Sequence, residues 1–157
     1  MSKINKLQKF EELKTLPNVL EFPQNIKGHW HTDFFKNDNP IVLELACGKG
    51  DYTLAMSKLY PNKNFIGIDI KGARIWKGAI IADEQQLSNA CFLRVYIEQL
   101  TDYFEKEEVS EIWITFPDPF IKKSKTRKRL TSERFLKMYN DLLPDSGKVH
   151  LKTDSSL

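Results

Sequence analysis

The chain has 157 residues, of which 41% are hydrophobic and 29% charged, and its formal net charge is +3. These values are typical of one soluble globular domain with a buried core. The absence of any apolar run of about 18 residues excludes a membrane-spanning helix. The polar, acid-containing N-terminus lacks the features of a signal or transit peptide. Two cysteines are too few for a disulfide framework or a zinc site, so we expect a cytoplasmic protein.

The apolar pattern predicts a helix over 4–14, an irregular stretch over 15–40, and then a regular alternation of strands and helices. The predicted strands are 41–45, 64–70, 90–94, 111–116 and 148–152; the predicted helices are 51–60, 72–87, 98–106 and 131–143, the last with Thr131 as N-cap. This alternation indicates the α/β class: a twisted parallel sheet with helices on both faces. We therefore expect an N-terminal extension over 1–40 and a Rossmann-like domain over 41–157. Ligands of such sheets bind outside the carboxyl ends of the strands.

The first of these strand ends carries a glycine-rich loop. The segment "LELACGKGDYTL" places Glu44 in the strand and Gly48 and Gly50 just before the next helix. Glycines let backbone N–H groups approach a ligand closely, and a helix N-terminus adds partial positive charge. The pattern E-x-A-x-G-x-G resembles the first motif of Rossmann-like methyltransferases that use S-adenosylmethionine, in which an acid suits a cationic ligand. Ala46 stands where the family usually has glycine, which is tolerable if its φ is negative; the alternative is a plain strand–helix turn.

The second predicted strand, "NFIGIDI", ends with an acid. Asp69 follows Glu44 by 25 residues. A carboxylate at this strand end can accept hydrogen bonds from both ribose hydroxyls of a nucleoside. The alternatives are a helix N-cap and a solvated acid, but the two strand ends together favour a nucleoside-bearing cofactor.

The strand over 111–116 leads into Pro117-Asp118-Pro119, whose prolines favour extended conformations at Phe116 and Asp118 and stiffen the turn. A stiff turn positions the Asp118 carboxylate at the reactive end of the cofactor, unless it is a simple surface turn. Six of the eight residues from 122 to 129 are Lys or Arg, and without them 18 basic residues face 21 acidic ones. This local positive charge indicates an anionic partner, nucleic acid first, or else a mobile, solvated loop.

The whole string "FPDPFIKKSKTRKRLTSERFL" resembles the signature of the bacterial tRNA (guanine-N7)-methyltransferases. The resemblance runs from "NPIVLELACGKGDYTL" to "GKVHLKTD" and covers roughly residues 38–155. It implies methyl transfer from S-adenosylmethionine to N7 of a guanine in tRNA, in the family the variable-loop guanine at position 46. It also implies a class I fold whose last strands are missing here, because the chain stops after the fifth predicted strand.

The resemblance carries over to individual residues. The positions that match cofactor contacts are Glu44, Asp69 and Asp118, beside the loop glycines Gly48 and Gly50; those that match tRNA contacts are Lys122 and Asp154. The family's remaining cofactor acid falls at Tyr96, which can stack on or hydrogen-bond adenine but supplies no carboxylate; Glu98 is a candidate substitute.

The chemistry of guanine N7 decides what catalysis requires. N7 carries a lone pair and no proton, so the transfer needs alignment and exclusion of water but no general base. A fixed carboxylate, Asp118 or Asp154, can stabilise the positive charge that moves onto the purine. His29 and His31 lack further ligands nearby, so we expect loop packing and no metal site. The alternatives are a methyltransferase for another RNA or for an exocyclic amine, and an RNA-binding fragment with impaired catalysis.

Overall fold

The computed structural model describes residues 3–156, which form a three-layer α/β fold. The strands are β1 (Val19–Glu21), β2 (Ile41–Leu45), β3 (Asn64–Asp69), β4 (Ala90–Arg94), β5 (Glu111–Thr115) and β6 (Lys148–Lys152). The α-helices are α1 (Lys6–Leu13), α2 (Asp51–Leu59), α3 (Gly72–Glu84), α4 (Leu100–Tyr103) and α5 (Glu133–Leu142). Two 3₁₀ segments cover Ile97–Gln99 and Lys123–Lys128, and a π-helical turn covers Trp30–Phe35.

The six strands form one parallel sheet in the order β1-β4-β3-β2-β5-β6. The chain adds β3 and β4 on one side of β2 and then returns to add β5 and β6 on the other. The strand order therefore reverses between β2 and β5, and a crevice opens at such a point outside the carboxyl ends of the strands. The parallel sheet predicted from the sequence is confirmed.

Each face of the sheet is covered by helices, because the central strands are apolar on both sides. On one face Leu13, Leu54 and Ile75 bring α1, α2 and α3 against the sheet. On the other face α4 and α5 pack with Trp30, whose ring lies 5.1 Å from that of Phe104 and whose indole N–H donates to the Tyr103 carbonyl. Burial on both faces explains why β2 and β3 are mostly apolar and buried along their whole length, with Glu44, Asn64 and Asp69 as the polar residues among them.

The expectation of irregular structure over 15–40 is wrong at two places. Val19–Glu21 is a sheet strand that pairs with β4 through Val19↔Phe92 and Glu21↔Arg94. Trp30–Phe35 forms the π-helical turn, held in place by the buried Trp30 ring. Three residues between two prolines carry too little periodicity to indicate a strand, and only pairing with β4 creates it. The division of the chain at residue 40 stays a prediction, although β1 extends the sheet of the second part.

Smaller differences concern the ends of the helices. The N-cap of α5 is Ser132, one residue after the predicted Thr131, and its hydroxyl donates to the Arg127 carbonyl. The predicted helix over 98–106 divides into a 3₁₀ turn and α4, and α3 ends at Glu84, three residues early. Across residues 3–156, every helix is too short or too polar to cross a bilayer.

Candidate active site

A cavity of about 260 Å³ lies at the carboxyl ends of the central strands. We call it the strand-end cavity. Its wall combines residues that follow four different strands, among them Ala46, Asp69, Tyr96, Glu98 and Asp118, with Lys128 from the basic stretch. Its volume is close to the lower end of the usual range for small-molecule sites, roughly 300–1,000 Å³. The structure thus brings together residues that the sequence had placed on separate strand ends.

The loop after β2 turns sharply under this cavity. Ala46, Gly48 and Gly50 all have positive φ, at 54°, 58° and 78°. The condition for tolerating alanine at position 46, a negative φ, is therefore not met. A left-handed conformation costs a non-glycine residue roughly 1–2 kcal/mol, so glycine would be the less strained residue at this position.

Close packing also restricts residues below the loop. The Phe92 ring lies under the loop, and a Cβ added at Gly50 would come within 2.5 Å of it. A Cβ at Gly78, on α3, would meet the Lys49 carbonyl oxygen at 2.5 Å and the Phe92 ring at 2.8 Å. The position of the loop is thus fixed by glycines that lie on two different elements.

Glu44 is buried beneath the loop. One carboxylate oxygen accepts hydrogen bonds from the Thr53 backbone N–H and hydroxyl, at 3.0 and 2.7 Å, and the other accepts from the Thr115 hydroxyl. Burial raises the pKa of the Glu44 carboxyl above its ordinary value, and the hydrogen bonds from Thr115 and Thr53 oppose that rise. Glu44 therefore ties the first turn of α2 to the end of β5. Its contact with a cofactor stays a prediction.

Asp69 lies on the cavity wall at the end of β3, with 9% of its surface exposed. One oxygen accepts a hydrogen bond from the Gly48 N–H and the other from the Lys71 N–H, each at 2.9 Å. An ionised carboxylate offers about four acceptor positions, so two remain for ligand hydroxyls. The geometry is compatible with the predicted ribose contact.

Tyr96 follows β4 and is 52% exposed on the cavity wall. Its ring lies 6.2 Å from that of Phe22, which immediately follows β1. Behind it, the Arg94 guanidinium donates to the Ile70 carbonyl and to Glu21, at 2.9 and 2.8 Å. The N-terminal strand thus supports the wall on which Tyr96 lies, a role that the sequence did not indicate.

The turn around Asp118 differs from the prediction in its backbone. Phe116 has a φ of 48° and not the expected extended conformation. The Asp118 carboxylate accepts the Phe120 N–H at 2.8 Å, while the Arg129 guanidinium donates to the carbonyls of Pro119 and Phe120 at 2.7 and 3.2 Å. The turn is therefore held by side chains as well as by its prolines, and Asp118 stays exposed at the rim of the cavity.

The basic stretch 122–129 is partly helical. Lys123–Lys128 forms a 3₁₀ segment, and the five cations from Lys122 to Lys128 are exposed. Arg129 is half-buried and its guanidinium donates to the Asp118 turn, so its hydrogen bonds are made within the protein. Lys122 and Asp154 are exposed and lie outside the set of described residues that line the cavity.

The expected loop packing describes His31 and not His29, whose side chain is 57% exposed. The His31 ring lies 2.9 Å from the Asn39 carbonyl oxygen, and His29 lies 4.0 Å from Asp33. Within the described part of the chain, no group of three or more His, Cys, Asp or Glu side chains is arranged to hold a metal ion.

Comparison with known proteins first identifies the class of protein to which the chain belongs. A family model described as a putative methyltransferase matches residues 38–157. The fold is similar to that of phosphoethanolamine N-methyltransferase 2 of Haemonchus contortus, solved with S-adenosylhomocysteine, with a TM-score of 0.58 at 13% identity over 94% of this chain and 28% of that one. The fold, the cavity at the strand ends and the family model define a Rossmann-like class I methyltransferase.

The particular family follows from closer relatives. The chain belongs to the family of the tRNA (guanine-N(7)-)-methyltransferases. It is 52% identical to the protein of that name from Christiangramia forsetii, over 99% of this chain and 73% of that protein. It is 49% identical to the one from Bacteroides fragilis, over 97% of this chain and 63% of that protein. The chain thus spans about two thirds of the length of these relatives.

Proposed function

We propose that this chain transfers a methyl group from S-adenosylmethionine to N7 of a guanine in tRNA. The strand-end cavity carries this proposal, because it joins the acids of two strand ends to a cationic stretch on a single rim. Both the names of the relatives and the methyltransferase fold support it. Residence in the cytoplasm stays a prediction from the sequence.

The cavity residues fit the proposed cofactor. Asp69 has two free acceptor positions for the ribose hydroxyls, and the exposed Tyr96 ring offers a face for adenine. The left-handed glycines Gly48 and Gly50 shape the loop, and the Gly48 N–H holds the cavity residue Asp69 in place. Glu44, buried beneath the loop, ties the first turn of α2 to the end of β5 and so positions the loop from below.

The proposed reaction does not require the protein to act as a general base. S-adenosylmethionine supplies a methyl group on a sulfonium, and guanine N7 offers a lone pair without a proton. The chain must therefore align the two groups and keep water out. Asp118, held by the Phe120 N–H and the Arg129-braced turn, is placed to stabilise positive charge on the purine. Asp154 is a second candidate for this role on the tRNA side.

The tRNA phosphates are assigned to the basic stretch. Five exposed cations from Lys122 to Lys128 lie next to the cavity, and Lys128 is part of its wall. Lysine and arginine bind phosphates through charge without reading sequence. The choice of the variable-loop guanine at position 46 rests on the resemblance to the family.

The test uses the acceptor atom itself. We would incubate the chain with labelled S-adenosylmethionine and two tRNA transcripts, one normal and one made with 7-deazaguanosine, which has carbon in place of N7. Label in the first transcript and none in the second supports the proposal. Equal label in both would show that another atom is methylated, and a transcript in which adenine replaces the variable-loop guanine tests the position. Binding of tRNA without any transfer would favour the RNA-binding fragment.

A further inference from the structure

A ring outside the strand-end cavity has no evident role in the fold. Phe116 lies at the end of β5, two residues before Asp118, and 55% of its surface is exposed. Its φ of 48° is a left-handed conformation that is unfavourable for a large side chain. Strain combined with an exposed aromatic surface is a combination that packing alone does not explain.

The left-handed backbone decides which way this ring points. The Thr115 hydroxyl donates to Glu44, so Thr115 faces the α2 side of the sheet. Successive side chains of a regular strand point to opposite faces. Phe116 instead lies on the same α2 side as Thr115, with its ring centroid 6.1 Å from that of Tyr52 at an angle of 50°. The strain thus directs the ring to this surface.

The neighbours of Phe116 make the surface rigid and positive. The Phe116 N–H donates to the Lys152 carbonyl at 2.7 Å, which fixes the backbone against β6. The Lys152 ammonium lies 5.1 Å above the Tyr52 ring and 3.3 Å from its hydroxyl. The Tyr52 ring is therefore covered by the Lys152 ammonium, whereas the outer face of the Phe116 ring stays exposed to solvent.

We propose that the open face of Phe116 stacks on an unpaired base of the tRNA that flanks the methylated guanine. An exposed ring beside a cation is the surface on which proteins bind splayed bases. The Phe116 ring is not among the described residues that line the cavity, so it fits a neighbour of the target and not the target itself. The tilted Tyr52 ring is too close to admit a base between the two rings. This inference rests on tRNA being the substrate.

The test compares three variants in tRNA binding at several salt concentrations. Phe116→Leu keeps an apolar side chain with the same backbone cost and removes only the aromatic face. Phe116→Trp keeps a stacking face. Ile121→Ala is the matched control, because Ile121 is 70% exposed near the same turn and has no ring.

We expect Phe116→Leu to raise the Kd for tRNA at least about fivefold, with an unchanged slope of log Kd against log salt, since no charge is lost. Phe116→Trp and Ile121→Ala should bind like the wild type, and all three should bind S-adenosylhomocysteine normally. Wild-type tRNA affinity in Phe116→Leu would overturn the inference. So would equal weakening by Phe116→Trp, or a parallel loss of S-adenosylhomocysteine binding, because each indicates a packing role.

The outcome separates this inference from the proposed function. If the wild type methylates tRNA and Phe116→Leu binds it normally, only the stacking role fails. If the wild type binds tRNA through Phe116 but transfers no methyl group, the proposed function fails, and of this inference only the contact between Phe116 and tRNA stands. A wild-type chain that does not bind tRNA would contradict both.

Discussion

Replacing Gly78 by alanine tests whether α3 fixes the cofactor loop. In an open helix this change would stabilise the chain by about 1 kcal/mol, since alanine is the better helix former. Here the new Cβ would lie 2.5 Å from the Lys49 carbonyl oxygen and 2.8 Å from the Phe92 ring. The carbonyl must retreat by about 0.9 Å to reach an ordinary contact, and the loop that contains Gly48 and Gly50 must move with it.

Two effects follow, and their sizes differ. Overpacking typically costs about 1–3 kcal/mol, so after the helix gain we expect a net loss of about 0–2 kcal/mol. For a chain of this size each 1 kcal/mol corresponds to a fall in Tm of about 2–4 °C. A shift of about 1 Å in a ligand-binding loop has larger consequences, and we expect the affinity for S-adenosylhomocysteine to fall about tenfold or more, roughly 1.4 kcal/mol.

Gly72→Ala is the matched control on the same helix. The nearest atoms to its Cβ would belong to the side chains of Phe10 and Leu13, at 2.8 and 3.1 Å, on the side of α1. Calorimetric titration with S-adenosylhomocysteine and thermal unfolding of both variants give the two quantities. A Gly78→Ala variant with a raised Tm and normal affinity would refute the reasoning, as would equal affinity losses in both variants.

The remaining predictions concern charge. Asp118→Asn should lower kcat about 10²-fold with Tm unchanged, since the amide oxygen still accepts the Phe120 N–H; a near-normal single-turnover rate would remove the electrostatic role. If the five exposed cations all contact phosphates, the slope of log affinity for tRNA against log salt should be about −4.5 by the duplex coefficient. Lys123→Met should reduce the size of this slope by about 1, and Arg129→Met should leave it unchanged. Filter binding measures both slopes, and equal slopes in the two variants would contradict the assignment. The folded-state pKa of Glu44 is raised above 4.5, so its stabilising contribution is full below that pH and is lost as the pH rises through the folded pKa. Urea unfolding between pH 4 and 8 should therefore show wild type losing stability relative to Glu44→Gln as the pH rises; a constant difference would contradict this.

The sequence indicated the central strands because their burial on both faces leaves a readable signal. The strands β2 to β6 agree with the predicted ones to within a residue. Four of them are short, mostly apolar or β-branched runs between breakers, whereas the exposed edge strand β6 was indicated by the alternation of Val149 and Leu151 with polar residues. The strand β1 gave no such signal, because its existence depends on backbone pairing with β4. The π-helical turn likewise depends on the burial of Trp30 against Phe104.

The site was predictable where chemistry acts through single residues at strand ends. Asp69, Tyr96 and Asp118 are brought to one cavity, as their positions after consecutive strands indicated. The partners that hold them were not predictable. Arg94 and Arg129 resemble any surface cation in the sequence, and only the fold shows that their guanidinium groups donate to the carbonyls of Ile70 and Phe120 on the cavity wall.

The positive φ values of Ala46 and Phe116 were also missed. Local preference disfavours both, and the surrounding structure imposes them. Such conflicts between local preference and fold concentrate at functional sites, and these two residues follow β2 and β5, which are neighbours in the sheet. When alanine replaces a glycine that a motif usually carries, the backbone conformation at that position should therefore be determined before the substitution is regarded as neutral.

The most direct measurement is the position of the methyl group in tRNA. After incubation with S-adenosylmethionine, the tRNA would be treated chemically so that its chain breaks at N7-methylguanine, and the fragments would be sized. We expect one break, at the variable-loop guanine, and none in tRNA incubated with the Asp118→Asn variant for the same short time. Methyl incorporation without any break, or breaks at many guanines, would contradict the account.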